Sequence, residues 1–120
     1  MKIDIPKDFS RHPAGRYIED GPYNGELFRR EFLEKPLRRH EMIEVKLDGA
    51  RGYGSSFLEE AFGGLTRMGF SPEEILKYLI IKTSNPVLMR QITNYIRDGL
   101  SRESKKHNAR NTPTSQQASR

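Results

Sequence analysis

The sequence predicts an α/β fold: a mixed, mostly parallel sheet with helices packed on it, preceded by an N-terminal strand or hairpin. Two observations predict it. Three segments, Lys2–Ile5, Met42–Leu47 and Tyr78–Thr83, have the apolar alternation or continuity of strands, and stretches with helical spacing separate them. Strands that alternate with helices favour parallel pairing through crossover connections. At 120 residues the chain has room for one domain.

The N-terminal region predicts one strand and a loose hairpin. Lys2-Ile3-Asp4-Ile5 alternates polar and apolar residues, the period of a half-buried strand, and Pro6 ends it or marks a sheet edge. Arg16-Tyr17-Ile18 is a possible second short strand, closed by the turn residues that follow it. The two segments together would form the hairpin.

A first helix is predicted to begin at Asn24 and to run to about Leu33. Asn24 is a capping residue, and Pro36 is expected to interrupt or kink the helix because proline lacks the backbone donor. Basic residues from Arg29 to Arg39 are interleaved with glutamates. Opposite charges this close favour a solvated, ion-paired face over a phosphate-binding patch.

The clearest central strand is Met42–Leu47, because its β-branched residues alternate and Asp48-Gly49 stops it. After a glycine-rich turn, a helix is predicted with Gly69 as its C-terminal cap. The apolar stripe of that helix has helical spacing and should lie against the sheet. Its members are Leu58, Ala61, Phe62, Leu65 and Met68.

The second half of the chain repeats the helix and strand signals. Ser71-Pro72 starts a short helix, and the continuous apolar run Tyr78–Thr83 predicts a strand covered on both faces. Asn85-Pro86 opens the last helix. Its expected core residues are Leu88, Ile92, Tyr95, Ile96 and Leu100.

Charge divides the chain into a domain over residues 1–100 and a basic tail over residues 101–120. The tail carries five Lys/Arg and one acid, whereas residues 1–100 carry 16 basic and 15 acidic residues. Because alanine and proline are its only non-polar residues, the tail is expected to be disordered. It is interpreted as a solvated tail or as a weak tether for nucleic acid or an acidic partner.

Composition excludes several classes of site. The absence of cysteine removes disulfides, thiolate zinc sites and thiol nucleophiles. His12, His40 and His107 lack ligand spacing, so neither a metal nor another cofactor is expected, and no residue is assigned a catalytic role. No apolar run approaches the roughly 20 residues of a membrane span, so we expect a cytoplasmic protein without membrane association.

The strongest chemical signal is the glycine-rich turn that leads from Met42–Leu47 into the helix at Ser55 and Ser56. Such a turn presents unpaired backbone N–H groups and the positive end of the helix dipole. Ser56 and Glu59 have the spacing of a capping box, so Ser55 is expected to point outward. The turn lacks the lysine of a P-loop and the spacing of a hydrolase elbow.

Gly63 and Gly64 lie inside the same helix and require an explanation. Two glycines cost a helix about 2 kcal/mol relative to alanine. Gly63 lies beside Glu59 and Arg67 on the helical wheel, which predicts close approach by a partner from outside. Close packing inside the domain is the alternative interpretation.

The segment from Val45 through Leu65, with its paired serines and amphipathic helix, resembles the centre of STAS domains, the sulphate-transporter and anti-sigma-factor-antagonist family. Together with Asp20-Gly21-Pro22 and Gly25–Arg29, it resembles more narrowly the small bacterial and phage STAS-like family of uncharacterised function. This likeness covers residues 2–100. It implies a STAS-like fold and a non-enzymatic domain.

The antagonist branch implies a protein partner, a GHKL-type ATPase kinase that phosphorylates a serine at the helix start and so weakens the complex. By position, Ser55 is the phosphoacceptor and Ser56 its neighbour. The predicted partner-binding residues are Gly52, Tyr53, Gly54, Ser55, Glu59, Glu60 and Gly63. Two alternatives remain: a nucleic-acid-associated protein that uses the tail and Arg29–Arg39, and binding of a small ligand or nucleotide at the loop.

Overall fold

The computed structural model describes residues 1–101. The predicted disordered tail lies outside these residues except for Ser101. The sheet has three parallel strands, β1 (Lys2–Asp4), β2 (Ile43–Lys46) and β3 (Leu79–Lys82), in the order β1-β2-β3. The α/β class and the central position of the second strand are confirmed.

Among the described residues, helices cover one face of the sheet and leave the other face without a helix. Ile3 pairs with Val45, which pairs with Ile81, and this face enters the core. The opposite face carries charged side chains and Ile80, which is 36% exposed. The prediction of a strand covered on both faces is therefore wrong for β3, because this edge strand packs against helices from one side.

In the part of the chain that the structure describes, four helices surround the core. Consecutive helical segments join into α1 over residues 25–38 and α2 over residues 55–67, and in each the middle segment makes wider π-helical turns. The remaining helices are α3 (Pro72–Tyr78) and α4 (Pro86–Arg97). The segments are Gly25–Phe28, Arg29–Leu33 and Glu34–Arg38 in α1, and Ser55–Leu58, Glu59–Gly63 and Gly64–Arg67 in α2; Ile5–Phe9 and Ile18–Asp20 are short helical turns.

Side-chain caps begin three helices as predicted. Asn24 accepts a hydrogen bond from the Leu27 N–H at 2.8 Å, and Ser71 accepts one from the Glu74 N–H at 3.1 Å. The Asn85 side chain accepts from the first free N–H groups of α4. Each cap satisfies donors that have no partner inside the helix.

The N-terminal hairpin prediction is wrong, since β1 pairs in parallel with β2 and Ile18–Asp20 is a 3₁₀ turn. The Asp20 carboxylate accepts hydrogen bonds from the N–H groups of Arg16 and Tyr17, which closes a local turn instead of a strand. Asp side chains commonly replace ladder bonds in this way.

Helix α1 continues past Pro36 to Arg38. A π-helical turn precedes the proline, and the Glu34 N–H closes it on the Arg29 carbonyl. The hydrogen-bond register therefore changes just before the position at which proline lacks its donor.

The core joins the covered sheet face to all four helices, and α3 contributes Ile75. Leu58, Phe62 and Ile92 are at most 2% exposed, as their helical spacing predicted. Met68 and Leu100 were also predicted to lie in the core, but they are 50% and 62% exposed because each follows the last residue of its helix. Within residues 1–101, no helix has the length and apolar character to cross a membrane.

Candidate functional site at the start of helix α2

The loop between β2 and α2 is fastened to the loop after β3. Both Asp48 carboxylate oxygens accept from the Ser84 N–H, at 3.0 and 3.1 Å, and one also accepts from the Thr83 hydroxyl at 2.9 Å. The hydrogen bonds from Ser84 and Thr83 lower the pKa of Asp48. Gly49 follows with φ at +105°, a conformation that favours glycine.

Tyr53 anchors the same loop from its other end. Its hydroxyl donates to the Leu47 carbonyl at 2.5 Å, and its ring lies 6.1 Å from that of Phe57. Burial, together with the charges of Asp4 and Asp48, raises the pKa of Tyr53. Its partner-binding role stays a prediction, and its hydroxyl is turned towards the protein.

Ser55 and Ser56 form the exposed first turn of α2. Gly54 is the N-cap and has extended backbone, with φ −66° and ψ 144°. Within residues 1–101, neither serine hydroxyl makes a side-chain hydrogen bond. The capping box predicted for Ser56 and Glu59 is wrong, because the helix already begins at Ser55 and the Glu59 carboxylate is held by arginines.

Beyond this first turn, α2 is buried on every side from residue 57 to residue 66. Glu59 and Glu60 are each 6% exposed. The prediction that these glutamates form an exposed partner-binding surface is therefore wrong. Their location follows from the middle of α2 lying between α1 and α4.

Two arginines hold Glu59. Arg67 donates from both terminal nitrogens at 2.7 and 2.8 Å, and Arg16 donates at 2.5 Å. Burial by itself would raise the pKa of Glu59, but the hydrogen bonds and charges of Arg67 and Arg16 outweigh burial and lower it. The arrangement is a bidentate pair with an additional cation.

The neighbouring Glu60 extends the ion pairs to α1. Arg29 donates to Glu60 at 2.6 Å and to Glu34 at 2.8 Å, and Arg16 and Arg67 each lie 3.2 Å from Glu60. We call the six residues the ion cluster: Arg16, Arg29, Glu34, Glu59, Glu60 and Arg67. Its three cations and three carboxylates balance, which allows burial.

Sequence reasoning missed this cluster. Arg29 was expected on a solvated face, yet it is 6% exposed, and Arg16 reaches Glu59 across 43 positions of the chain. A usable signal was the Glu59-Glu60 pair, which apolar residues flank on both sides in the sequence. Both glutamates lie in the π-helical middle segment of α2.

Gly63 and Gly64 allow neighbouring elements to approach α2. A Cβ atom on Gly63 would lie 2.8 Å from the Tyr95 carbonyl oxygen, and one on Gly64 would lie 2.5 Å from an Arg29 nitrogen. The prediction that Gly63 faces an outside partner is wrong. The alternative, close packing inside the domain, is confirmed.

Fold and site together define a small α/β domain in which a parallel strand leads through a glycine-containing loop into a helix that begins with two exposed serines. The chain belongs to the family described as STAS-like domain of unknown function (DUF4325), which matches residues 24–89, more than half of the 120 residues. The match includes both serines and all of the ion cluster except Arg16. No curated protein and no solved structure matches the chain.

Proposed function

We propose that this protein is a non-enzymatic protein–protein regulatory module, similar to anti-sigma-factor antagonists, that is switched by phosphorylation at Ser55. One observation carries the proposal: two exposed serines, without side-chain hydrogen bonds inside residues 1–101, begin a helix whose remaining turns are firmly held. Membership of the STAS-like family supports the same kind of fold.

Phosphorylation would act here through local charge. Transfer of the ATP γ-phosphoryl group to Ser55 Oγ releases ADP and a proton, and adds between about 1.5 and 2 negative charges at neutral pH. The N-terminus of α2 accommodates that charge inside the domain. A partner facing the loop meets it as repulsion, so the complex weakens while the domain stays folded.

The proposed partner surface comprises Gly52, Tyr53, Gly54, Ser55 and Ser56. Burial of the helix body limits the approach of a partner to this end of α2. Arg11 extends the same surface, because its carbonyl accepts from the Arg51 N–H at 2.9 Å and so lies beside the loop. By the family resemblance, the partner is a GHKL-type ATPase kinase.

The test is an affinity capture from the native host with the full chain, carried out with wild type, Ser55→Asp and Asn94→Asp. Asn94 is exposed on α4, so Asn94→Asp adds the same charge away from the proposed surface. We expect wild type and Asn94→Asp to recover a GHKL-type ATPase, and Ser55→Asp to recover at least about tenfold less, as in a like-charge contact.

Equal recovery of that ATPase by Ser55→Asp and wild type would contradict the switch. Incubating the recovered ATPase with ATP then tests the phosphoacceptor directly by peptide mass spectrometry. One phosphate on Ser55 of wild type, and none on that peptide in a Ser55→Ala, Ser56→Ala double variant, is the expected result. Recovery of nucleic acid alone, lost when residues 101–120 are removed, would replace this proposal with the nucleic-acid alternative.

A further inference from the structure

We propose that the crevice at the carboxyl ends of the three strands binds a small phosphate monoester that also carries hydroxyl groups, the chemistry of a nucleotide or a sugar phosphate. This site does not include the Ser55 hydroxyl, but it shares Gly52, Tyr53 and Arg11 with the proposed partner surface. The inference does not depend on the proposed function. The crevice is the space between the loop after β2, the loop after β3 and the first turns of α4.

The location and size of the crevice favour a ligand. A cavity of about 510 Å³ lies between the two loops, and a second hollow of about 460 Å³ shares Asp48 and Gly49 with it. The larger cavity lies beyond the carboxyl ends of β2 and β3, between the loops that follow these strands. Pockets for small molecules commonly measure about 300–1,000 Å³.

Cationic side chains outnumber carboxylates at the crevice. Arg51 lines the larger cavity, and Lys7 and Arg11 line the smaller hollow. Within residues 1–101 none of these three side chains makes an ion pair, whereas the arginines of the ion cluster are all paired. Guanidinium groups match phosphate with paired hydrogen bonds, and lysine adds a point charge.

The carboxylates at the crevice disfavour an anion without hydroxyl groups, such as inorganic phosphate. Asp4 and Asp48 also border the two hollows, so the five charged side chains sum to about one positive charge. Asn85 already accepts from the Val87 and Leu88 N–H groups, so the start of α4 is capped and does not supply the anion donors. Asp48 is best matched by ligand hydroxyls, because its carboxylate only accepts hydrogen bonds.

The backbone leaves room for such a ligand. No atom of residues 1–101 lies within 4 Å of a Cβ built on Gly52, so the wall of the larger cavity is open there. Gln91 on α4 faces the same cavity and offers an amide for a sugar or base. The phosphate therefore belongs near Arg51, with hydroxyl groups directed towards Asp48.

The experiment is an NMR titration of the ¹⁵N-labelled full chain with AMP, glucose 6-phosphate and adenosine. Either phosphate monoester should shift amide signals in residues 48–53 and 83–91, and the tighter one names the ligand class. Arg51→Ala should weaken binding at least about tenfold, because charge-assisted hydrogen bonds are strong. Arg90→Ala, an exposed arginine on α4 outside the crevice, is the matched control and should bind as wild type does.

Three results would overturn the inference. These are no amide shifts with either phosphate monoester at millimolar concentration, equal binding of adenosine and AMP, and unchanged affinity in Arg51→Ala. The amide spectrum of each variant without ligand verifies its fold, so loss of binding is not mistaken for unfolding.

Discussion

The first turn of helix α2 and the body of the same helix differ in exposure and in hydrogen bonding. At its start, Ser55 and Ser56 are exposed and make no side-chain hydrogen bonds to the rest of residues 1–101. One helical turn later, Glu59 and Glu60 are 6% exposed and bind three arginines. The helix thus joins an open first turn to a closed, charge-balanced interior.

This difference indicates which part of α2 a partner can contact. A buried ion pair is costly to break, because removal of one member leaves an uncompensated charge. Substitution of an exposed serine at a helix start changes the free energy of unfolding little. Substitutions in the body of α2 should therefore act on stability, and substitutions in its first turn should act on binding.

The largest effect is expected from Glu60→Gln. It removes a carboxylate that contacts Arg16, Arg29 and Arg67, and we expect the free energy of unfolding to fall by about 3–5 kcal/mol. Urea unfolding followed by circular dichroism measures the loss. Glu31→Gln, an exposed position on α1, is the control and should stay within about 0.5 kcal/mol of wild type. Equal losses of unfolding free energy in Glu60→Gln and Glu31→Gln would contradict the distinction between the buried body of α2 and exposed positions.

Gly63→Ala should have the next largest effect. Its Cβ would lie 2.8 Å from the Tyr95 carbonyl oxygen and 2.7 Å from a Glu59 oxygen, so we expect a loss of about 1–3 kcal/mol from overpacking. Gly52→Ala, with open space around its Cβ, should change stability by less than about 0.5 kcal/mol. Thermal unfolding compares the two alanine variants, and a Gly63→Ala protein as stable as wild type would contradict the packing argument.

Acid should destabilise the protein through the buried body of α2. Because the pKa of Glu59 is lowered in the folded protein, its contribution is present above the unfolded value of about 4.3 and is lost as pH falls through the folded pKa. The unfolding midpoint of wild type should therefore decrease below about pH 4.3 more steeply than that of Glu59→Gln. Parallel curves for the two proteins would show that Glu59 does not contribute to acid sensitivity.

The smallest effect on the free energy of unfolding is expected in the exposed first turn of α2. Ser55→Asp places a negative charge at the start of α2 and should raise the free energy of unfolding by about 0.3–1 kcal/mol at low salt. Ser55→Asn, similar in size but neutral, is the matched control. Urea unfolding at low and high salt tests this, since screening should remove the gain. A loss above about 2 kcal/mol would mean that Ser55 belongs to the closed part of the helix.

Much of the fold could be predicted because its signals are local. Asn24, Ser71 and Asn85 cap their helices through hydrogen bonds to residues two or three positions away. Those contacts depend on sequence spacing alone. The alternation of Ile43 and Val45 likewise predicted the buried face of β2.

The candidate site was predicted only in part. The position of the serine pair at a helix start was predictable, but the burial of Glu59, Glu60 and Gly63 was not. A helical wheel orders side chains around one axis, and it does not indicate how many neighbours surround that axis. Ligand binding at the Gly-rich loop was one of the predicted alternatives, but the second wall of the crevice was not predicted, because two loops 35 positions apart form it through Asp48 and Thr83.

By itself, the sequence determined the class of fold, the helix caps, the serine-bearing junction and the likeness to STAS-like domains that the family match confirms. The tertiary structure decided which charges are buried and which face of the sheet is open to solvent. The physical reason is that a buried charge requires a partner of opposite charge. Arg29 is 31 positions from Glu60 in the chain, and Arg16 is 43 positions from Glu59, so only the folded chain brings these partners together.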